Sequence, residues 1–184
     1  MKRAELICIA LPLPQAVKCG VFPSPHDRIT IDPKSFAFLP VSAPLCVGHV
    51  EDRLALLDTG RQDVFLEACL RDRDFGLWAG GSLRELSPEQ VEQWVTEPSF
   101  QPPGGESRNA MLQRLSEWLA RAPTWEGVSY AALRPGVVRG LVLATLGAGA
   151  AAENALDVPP ETVTAMTWAG RWRVRMVGSP TFLE

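Results

Sequence analysis

Histidine is almost absent from this chain: His26 and His49 are the only two in 184 residues. Cysteine is also sparse. Cys8, Cys19, Cys46 and Cys69 lie far apart with no C-x-x-C pair, which argues against a zinc site and a thioredoxin-type redox pair. A disulfide framework is not expected in a domain of this size. No excess of positive charge exists: 18 basic residues against 21 acidic ones leave a net charge of -3. That balance gives no footprint for nucleic acid or an anionic membrane surface. No apolar run approaches the ~20 residues needed to span a bilayer. Lys2 and Arg3 before Leu6 to Leu13 faintly mimic a secretion signal, but Glu5, Pro12 and Pro14 interrupt the run and no small-x-small site follows. Lys18 before Cys19 speaks against a lipoprotein. The run reads as a buried first strand, and the protein as cytoplasmic.

What remains is an ordinary globular composition, 46% hydrophobic and 21% charged. The length suits one domain, residues 1–184, with a sizeable core. Glu5 to Ala10 reads as a buried strand, followed by a proline-punctuated loop from Leu11 to Pro33. Phe36 to Val41 is a second strand candidate, Val50 to Leu57 a helix stopped by Gly60, and Val64 to Leu66 a third strand. Capping boxes at Ser82/Glu85 and Ser87/Gln90 predict two short helices over 83–86 and 88–95. Met111, Leu115 and Trp118 share one face of a helix over 107–121. Val128 to Leu133 is a strand, and Pro135 opens a helix that ends at Gly147. Val163 to Trp168 and Trp172 to Val177 alternate around Ala169-Gly170 as a hairpin. This order predicts an α/β fold: a three-layer α/β/α sandwich with a largely parallel sheet and an antiparallel edge.

Two turns carry a resemblance. Asp74-Phe75-Gly76-Leu77-Trp78-Ala79-Gly80 and Gly104-Gly105-Glu106-Ser107 resemble the D-F-G-x-W-x-G and G-G-E-S turns of the phosphoglycerate-mutase-like histidine phosphatases, where they bracket a helical insert, here about 81–106. Leu156-Asp157-Val158-Pro159-Pro160 with Val163-Thr164 is similar to that family's L-D-V-P-P-x-S-V-T ending. The family's chemistry implies a histidine that attacks phosphorus, a second histidine and two arginines that hold the phosphoryl oxygens, and a carboxylic acid that protonates the leaving oxygen. In this register the first Arg-His pair falls on Ala10 and Leu11, the second histidine on Arg134, and the acid on Asp72. The arginine after the second strand falls near Cys46 to Gly48, where no basic residue stands.

The resemblance therefore implies the fold and questions the activity. Asp72 and Arg134, at the ends of neighbouring strands, either bind a ligand or pair with each other and fill the site. Arg139 reads as structural. His26-Asp27-Arg28 is either a new site or a solvated turn, which makes His26 and Arg28 further ligand-binding candidates. His49 with Glu51 and Asp52 reads as a helix surface rather than a metal site. Cys46 lacks the C-x₅-R spacing of a cysteine phosphatase, because position 52 is Asp. The Gly147 to Ala152 stretch follows a helix, unlike a dinucleotide loop, and no G-x-S-x-G elbow exists. Trp94, Trp168 and Trp172 are either core residues or an exposed aromatic patch for a partner. The expected function is a degenerate, binding or regulatory module for a small molecule or protein partner, with no cofactor and no metal. An enzyme of altered chemistry and a residual phosphatase are the alternatives.

Overall fold

The structure is a computed structural model that describes residues 3–40, 42–121 and 126–180. Lys2, Val41 and Trp125 lie outside the described residues. The strands are β1 (Ala4–Ala10), β2 (Leu45–Val47), β3 (Val64–Leu66), β4 (Gly127–Leu133), β5 (Thr162–Trp168) and β6 (Trp172–Pro180). The α-helices are α1 (Gln15–Lys18), α2 (Val50–Asp58), α3 (Pro88–Thr96), α4 (Arg108–Leu119) and α5 (Pro135–Leu146). The strands form a single six-stranded sheet in the order β3-β2-β4-β1-β5-β6. β1, β2, β3 and β4 run parallel, while β5 and β6 add an antiparallel edge.

Side-chain alternation along β1 divides the core into two layers. Leu6, Cys8 and Ala10 pack under α4 and α5, against Leu115 and Leu141. Ile9 and Leu11 point the other way, into a layer with Ile29, Ile31, Phe36 and Leu56 of α2. The sheet is thus covered on both faces, as the parallel strands require.

Local chemistry sets the helix ends where the sequence places them. Ser82 with Glu85 and Ser87 with Gln90 both close capping boxes. Pro135 stands at the first turn of α5, and Gly147 ends it in the left-handed conformation. Ser107 accepts a hydrogen bond from the Ala110 N–H at the start of α4.

The second strand corrects the sequence reading. Described residues from Phe36 to Pro40 form a 3₁₀ turn (Pro33–Phe36) and a bend, not a strand. The carbonyls a strand would offer to a ladder accept from the Arg61 guanidinium at Phe36, Leu39 and Pro40. The true second strand, β2, is three fully buried residues, too short to show alternation. Gly48 closes it, because a Cβ there would collide with the Leu70 carbonyl. The loop from Leu11 to Pro33 also holds more order than expected: it contains α1, and Val21 bridges to Ser82.

The two family-like turns pack directly on each other. The Leu77 N–H donates to the Pro103 carbonyl at 2.9 Å, and the Glu106 N–H to the Asp74 carbonyl at 2.7 Å. Gly76 has φ +53°, and any Cβ on it would overlap the Pro103 carbonyl. Glu106 then grips Arg114 of α4 at 2.7 Å, and Arg114 donates to the Cys69 and Arg71 carbonyls. The bracket therefore ties α4 to the segment that carries Asp72.

Candidate functional site

Ala10 pairs with Leu133 in the parallel β1–β4 register, so the two strands end level. The Leu11 N–H extends that pairing to the Leu133 carbonyl at 2.8 Å. Leu11 and Arg134 are thus neighbours at the carboxyl ends of the sheet, where open α/β sheets hold ligands. Leu11 is 0% exposed and belongs to the α2-side core; Ala10 is 1% exposed on the opposite side. Neither offers a polar side-chain atom to the cleft.

Arg134 is buried, and its partner is Asp52. Nε lies 2.9 Å from Oδ2 and Nη2 lies 2.7 Å from Oδ1, a bidentate pair with both side chains almost wholly out of solvent. A further N–H of Arg134 donates to the Asp27 carbonyl at 3.1 Å. Burial works against the Arg134 cation, but the Asp52 hydrogen bonds and charge, with Asp72 and Asp27 behind them, outweigh it and raise its pKa. The expected Asp72–Arg134 pair does not form. Asp52 opens α2, which follows β2, and β2 is the strand beside β4. Asp72 follows β3, one strand further out, so the two predicted residues are not on neighbouring strands. The side chain that α2 sends toward Arg134 is an anion, where the resemblance implies an arginine a few residues earlier. Asp52 faces the interior instead of the helix surface.

Asp72 and His49 form a second small unit. The Asp72 N–H donates to His49 Nε2 at 2.8 Å, and Asp72 Oδ1 accepts from the Arg73 N–H at 2.9 Å. The same oxygen lies 3.3 Å from where a Cβ on Gly136 would stand, beside the N-terminus of α5. Burial lowers the His49 pKa against the pull of Asp52, and Arg134 and Arg71 add to the lowering. The neutral imidazole is thus an acceptor at Nε2, half-buried at the start of α2. No group of three His, Cys, Asp or Glu side chains among the described residues could hold a metal ion.

His26 and Arg28 are exposed or nearly so. Asp27 accepts from the Ser24 N–H, and Arg28 meets Glu51 at 3.6 Å with its side chain 88% exposed. Neither His26 nor Arg28 lines the cleft; the loop's contribution is the Asp27 carbonyl.

The cleft is a cavity of about 580 Å³ between the strand ends and the helical insert. Asp72, Arg134 and Gly136 line one end, and Arg73, Trp94, Arg108, Arg139 and Glu153 line the insert side. Among the described residues its lining contains no His, Cys, Ser, Thr, Lys or Tyr. Glu153 takes Arg139 at 2.8 Å and approaches Arg108 at 3.9 Å. Arg73 stacks over Phe75 at 4.6 Å and Trp94 at 5.7 Å. Burial lowers the Arg73 pKa, against the raising influence of Glu153 and Asp72.

Sequence reasoning missed Arg73, Trp94 and Arg108 as cleft residues. One signal was available: Arg108 occupies the first position of α4, where a cation opposes the helix dipole. The tryptophans do not form a single patch. Trp94 packs edge-on against Phe22 in the insert cluster, while Trp168 and Trp172 face each other across the β5–β6 hairpin, where the Trp172 indole donates to the Leu119 carbonyl.

Comparison with known proteins agrees with this architecture. An alpha-ribazole phosphatase from Shigella flexneri superposes with a TM-score of 0.76 at 20% identity, over 98% of this chain and 99% of that one. The mycobacterial glucosyl-3-phosphoglycerate phosphatase Rv2419c gives 0.71 at 16% identity, over 97% and 99%. TTHB049 from Thermus thermophilus gives 0.69 at 26% identity, over 94% and 99%. No curated protein matches the chain by sequence. The family model described as histidine phosphatase superfamily (branch 1) matches residues 53–179, a span that includes both glycine turns and the strand-end Arg134. With sheet order, turns and family model in agreement, the chain belongs to the histidine phosphatase superfamily, branch 1.

Proposed function

We propose that this chain is a catalytically degenerate histidine phosphatase that keeps the cleft to bind a small ligand and does not turn over phosphate esters through a phosphohistidine. One observation carries the reading: the 580 Å³ cavity has no imidazole, thiol, hydroxyl or amine among the described residues of its lining, and His49, the imidazole of the smaller pocket that adjoins it, is engaged at Nε2 by the Asp72 N–H. The candidate nucleophiles there are the carboxylates of Asp72, Glu153 and Asp157. Leu11, at the register position of the nucleophile, is core. Arg134, at the position of the second histidine, is held by Asp52 and cannot swing to a phosphoryl group without leaving a buried carboxylate unpaired. Losing a single anion-stabilising donor typically costs ~10²–10³-fold in rate; here the attacking group is absent as well.

A second reading, an enzyme of altered chemistry, draws on Asp72. That carboxylate lines the cavity, makes no ion pair among the described residues, and stands beside a helix N-terminus. It would act as a general acid or base on a substrate that needs no covalent intermediate.

Steady-state hydrolysis of 4-nitrophenyl phosphate between pH 5 and 9 separates these readings. Release no faster than the buffer blank is expected. Release that disappears in Asp72→Asn would replace the binding reading with a residual or altered phosphatase.

A further inference from the structure

The insert-side wall of the cavity is a cluster of donors with too few acceptors. Arg108 is 6% exposed, and its terminal nitrogens donate to Asn154 and to the Val95 carbonyl. Its Nε has no hydrogen-bond partner; the 3.9 Å approach to Glu153 is a charge contact beyond bonding distance. The Arg139 Nε is likewise buried and unpartnered, although its Nη2 holds Glu153. The Trp94 indole N–H, which can only donate, has no acceptor. Arg73 has aromatic faces beneath it and no carboxylate at ion-pair distance among the described residues. Buried donors are normally satisfied, and each unmade bond is costly. Arg73, Trp94, Arg108 and Arg139 all line one cavity, and Arg108 and Arg139 share the single carboxylate of Glu153. Of the other acidic residues lining the cavity, Asp72 acts on Arg73 through its charge but makes no ion pair with it among the described residues and sits beside Gly136 and His49, and Asp157 is exposed.

We propose that this wall is an anion site: Arg73, Arg108, Arg139 and the Trp94 indole hold the carboxylate or phosphate head of a small organic ligand. The ligand's apolar body lies along Leu13, Val17, Met111 and Val158, which line the same cavity. The volume of about 580 Å³ suits such a molecule. This assignment rests on the binding reading above and adds the ligand's class. It also moves the anion away from Arg134, whose charge Asp52 already answers. A head with several acceptor oxygens would add the acceptors this wall lacks, and the three buried donors reach it when their side chains turn toward the cavity.

The test is a titration with phenylphosphonate, benzoate and inorganic phosphate, followed by calorimetry and by the indole N–H resonance of Trp94. Phenylphosphonate has no ester to cleave, so it reports binding alone, and failure of the degenerate reading shows only in a turnover assay. Saturable binding of phenylphosphonate or benzoate that moves the Trp94 resonance is expected, tighter than inorganic phosphate, which has no apolar body. Whichever of the two binds better gives the head group, phosphate-like or carboxylate. Arg73→Gln should weaken binding about tenfold to a hundredfold. Trp94→Phe, which keeps the aromatic face and removes the donor, should weaken it less. Binding that leaves the Trp94 resonance unmoved and is indifferent to Arg73→Gln overturns the assignment. So does the absence of binding by all three probes at millimolar concentration.

Discussion

The two walls of the cleft treat a buried guanidinium in opposite ways. At the strand ends, Arg134 is matched atom for atom by Asp52, and the pair is closed to solvent. On the insert side, Arg73 is supported by aromatic rings, while Arg108 and Arg139 divide one carboxylate and leave donors unmade. The first arrangement is complete within the protein; the second becomes complete only with acceptors from outside. The difference teaches that a buried cation at the end of a sheet is not by itself a sign of a binding site. What matters is whether its charge is already answered.

The largest expected effect breaks the closed wall. Asp52→Ala should lower stability by about 3–5 kcal/mol, because it strands the Arg134 cation in the core. Urea unfolding reads this directly. The double variant Asp52→Leu with Arg134→Met should recover most of the loss, since an apolar pair of similar volume replaces both charges. A neutral Asp52→Ala would mean that water reaches Arg134.

Next is the bracket that holds the insert wall in place. Gly76→Ala should cost roughly 1–3 kcal/mol or more, from the left-handed backbone and the blocked approach of Pro103. It should also weaken phenylphosphonate binding, because the bracket positions α4 and hence Arg108. Unchanged unfolding would show that the two turns are not coupled.

A smaller effect belongs to His49. Its pKa is lowered in the fold, so between the folded value and the unfolded value near 6.5 the unfolded chain holds the extra proton. The stability it contributes is complete above about pH 6.5 and is lost as pH falls through that window. His49→Gln keeps an acceptor for the Asp72 N–H and should flatten that part of the stability–pH curve. An unaltered curve would remove His49 as the cause.

The smallest effect sharpens the contrast. Arg73→Gln should lower stability by only about 1 kcal/mol, since it removes the stacking on Phe75 and Trp94 but breaks no ion pair. A loss near that of Asp52→Ala would show that the fold depends on Arg73 as heavily as on the closed pair.

Much of the frame was legible in the sequence because local chemistry dictates it. Capping boxes at Ser82 and Ser87, Pro135 at a helix start and Gly147 at a helix end each specify a boundary without distant partners. The two glycine turns were legible too, because their backbone contact admits no side chain. β2 was not, since three buried residues carry no period and the stronger apolar run at Phe36 is held by Arg61 from a distant segment. The site was half legible. The family resemblance singled out Ala10, Leu11 and Arg134, and the β1–β4 pairing puts them side by side at the strand ends. The Asp52 partner depended on β2 lying between β3 and β4, which strand order alone reveals. Arg73, Trp94 and Arg108 come from three segments that meet only in the folded cleft.

The most direct measurement of the central claim is the fate of phenyl phosphate incubated with excess protein, with the Trp94 resonance and phenol release followed together. Excess protein keeps the ester bound, so slow chemistry is not masked by weak affinity. The expected result is a shifted Trp94 resonance and an ester that stays intact for hours at pH 7. Phenol release that rises with the bound fraction would contradict the claim and return this cleft to catalysis.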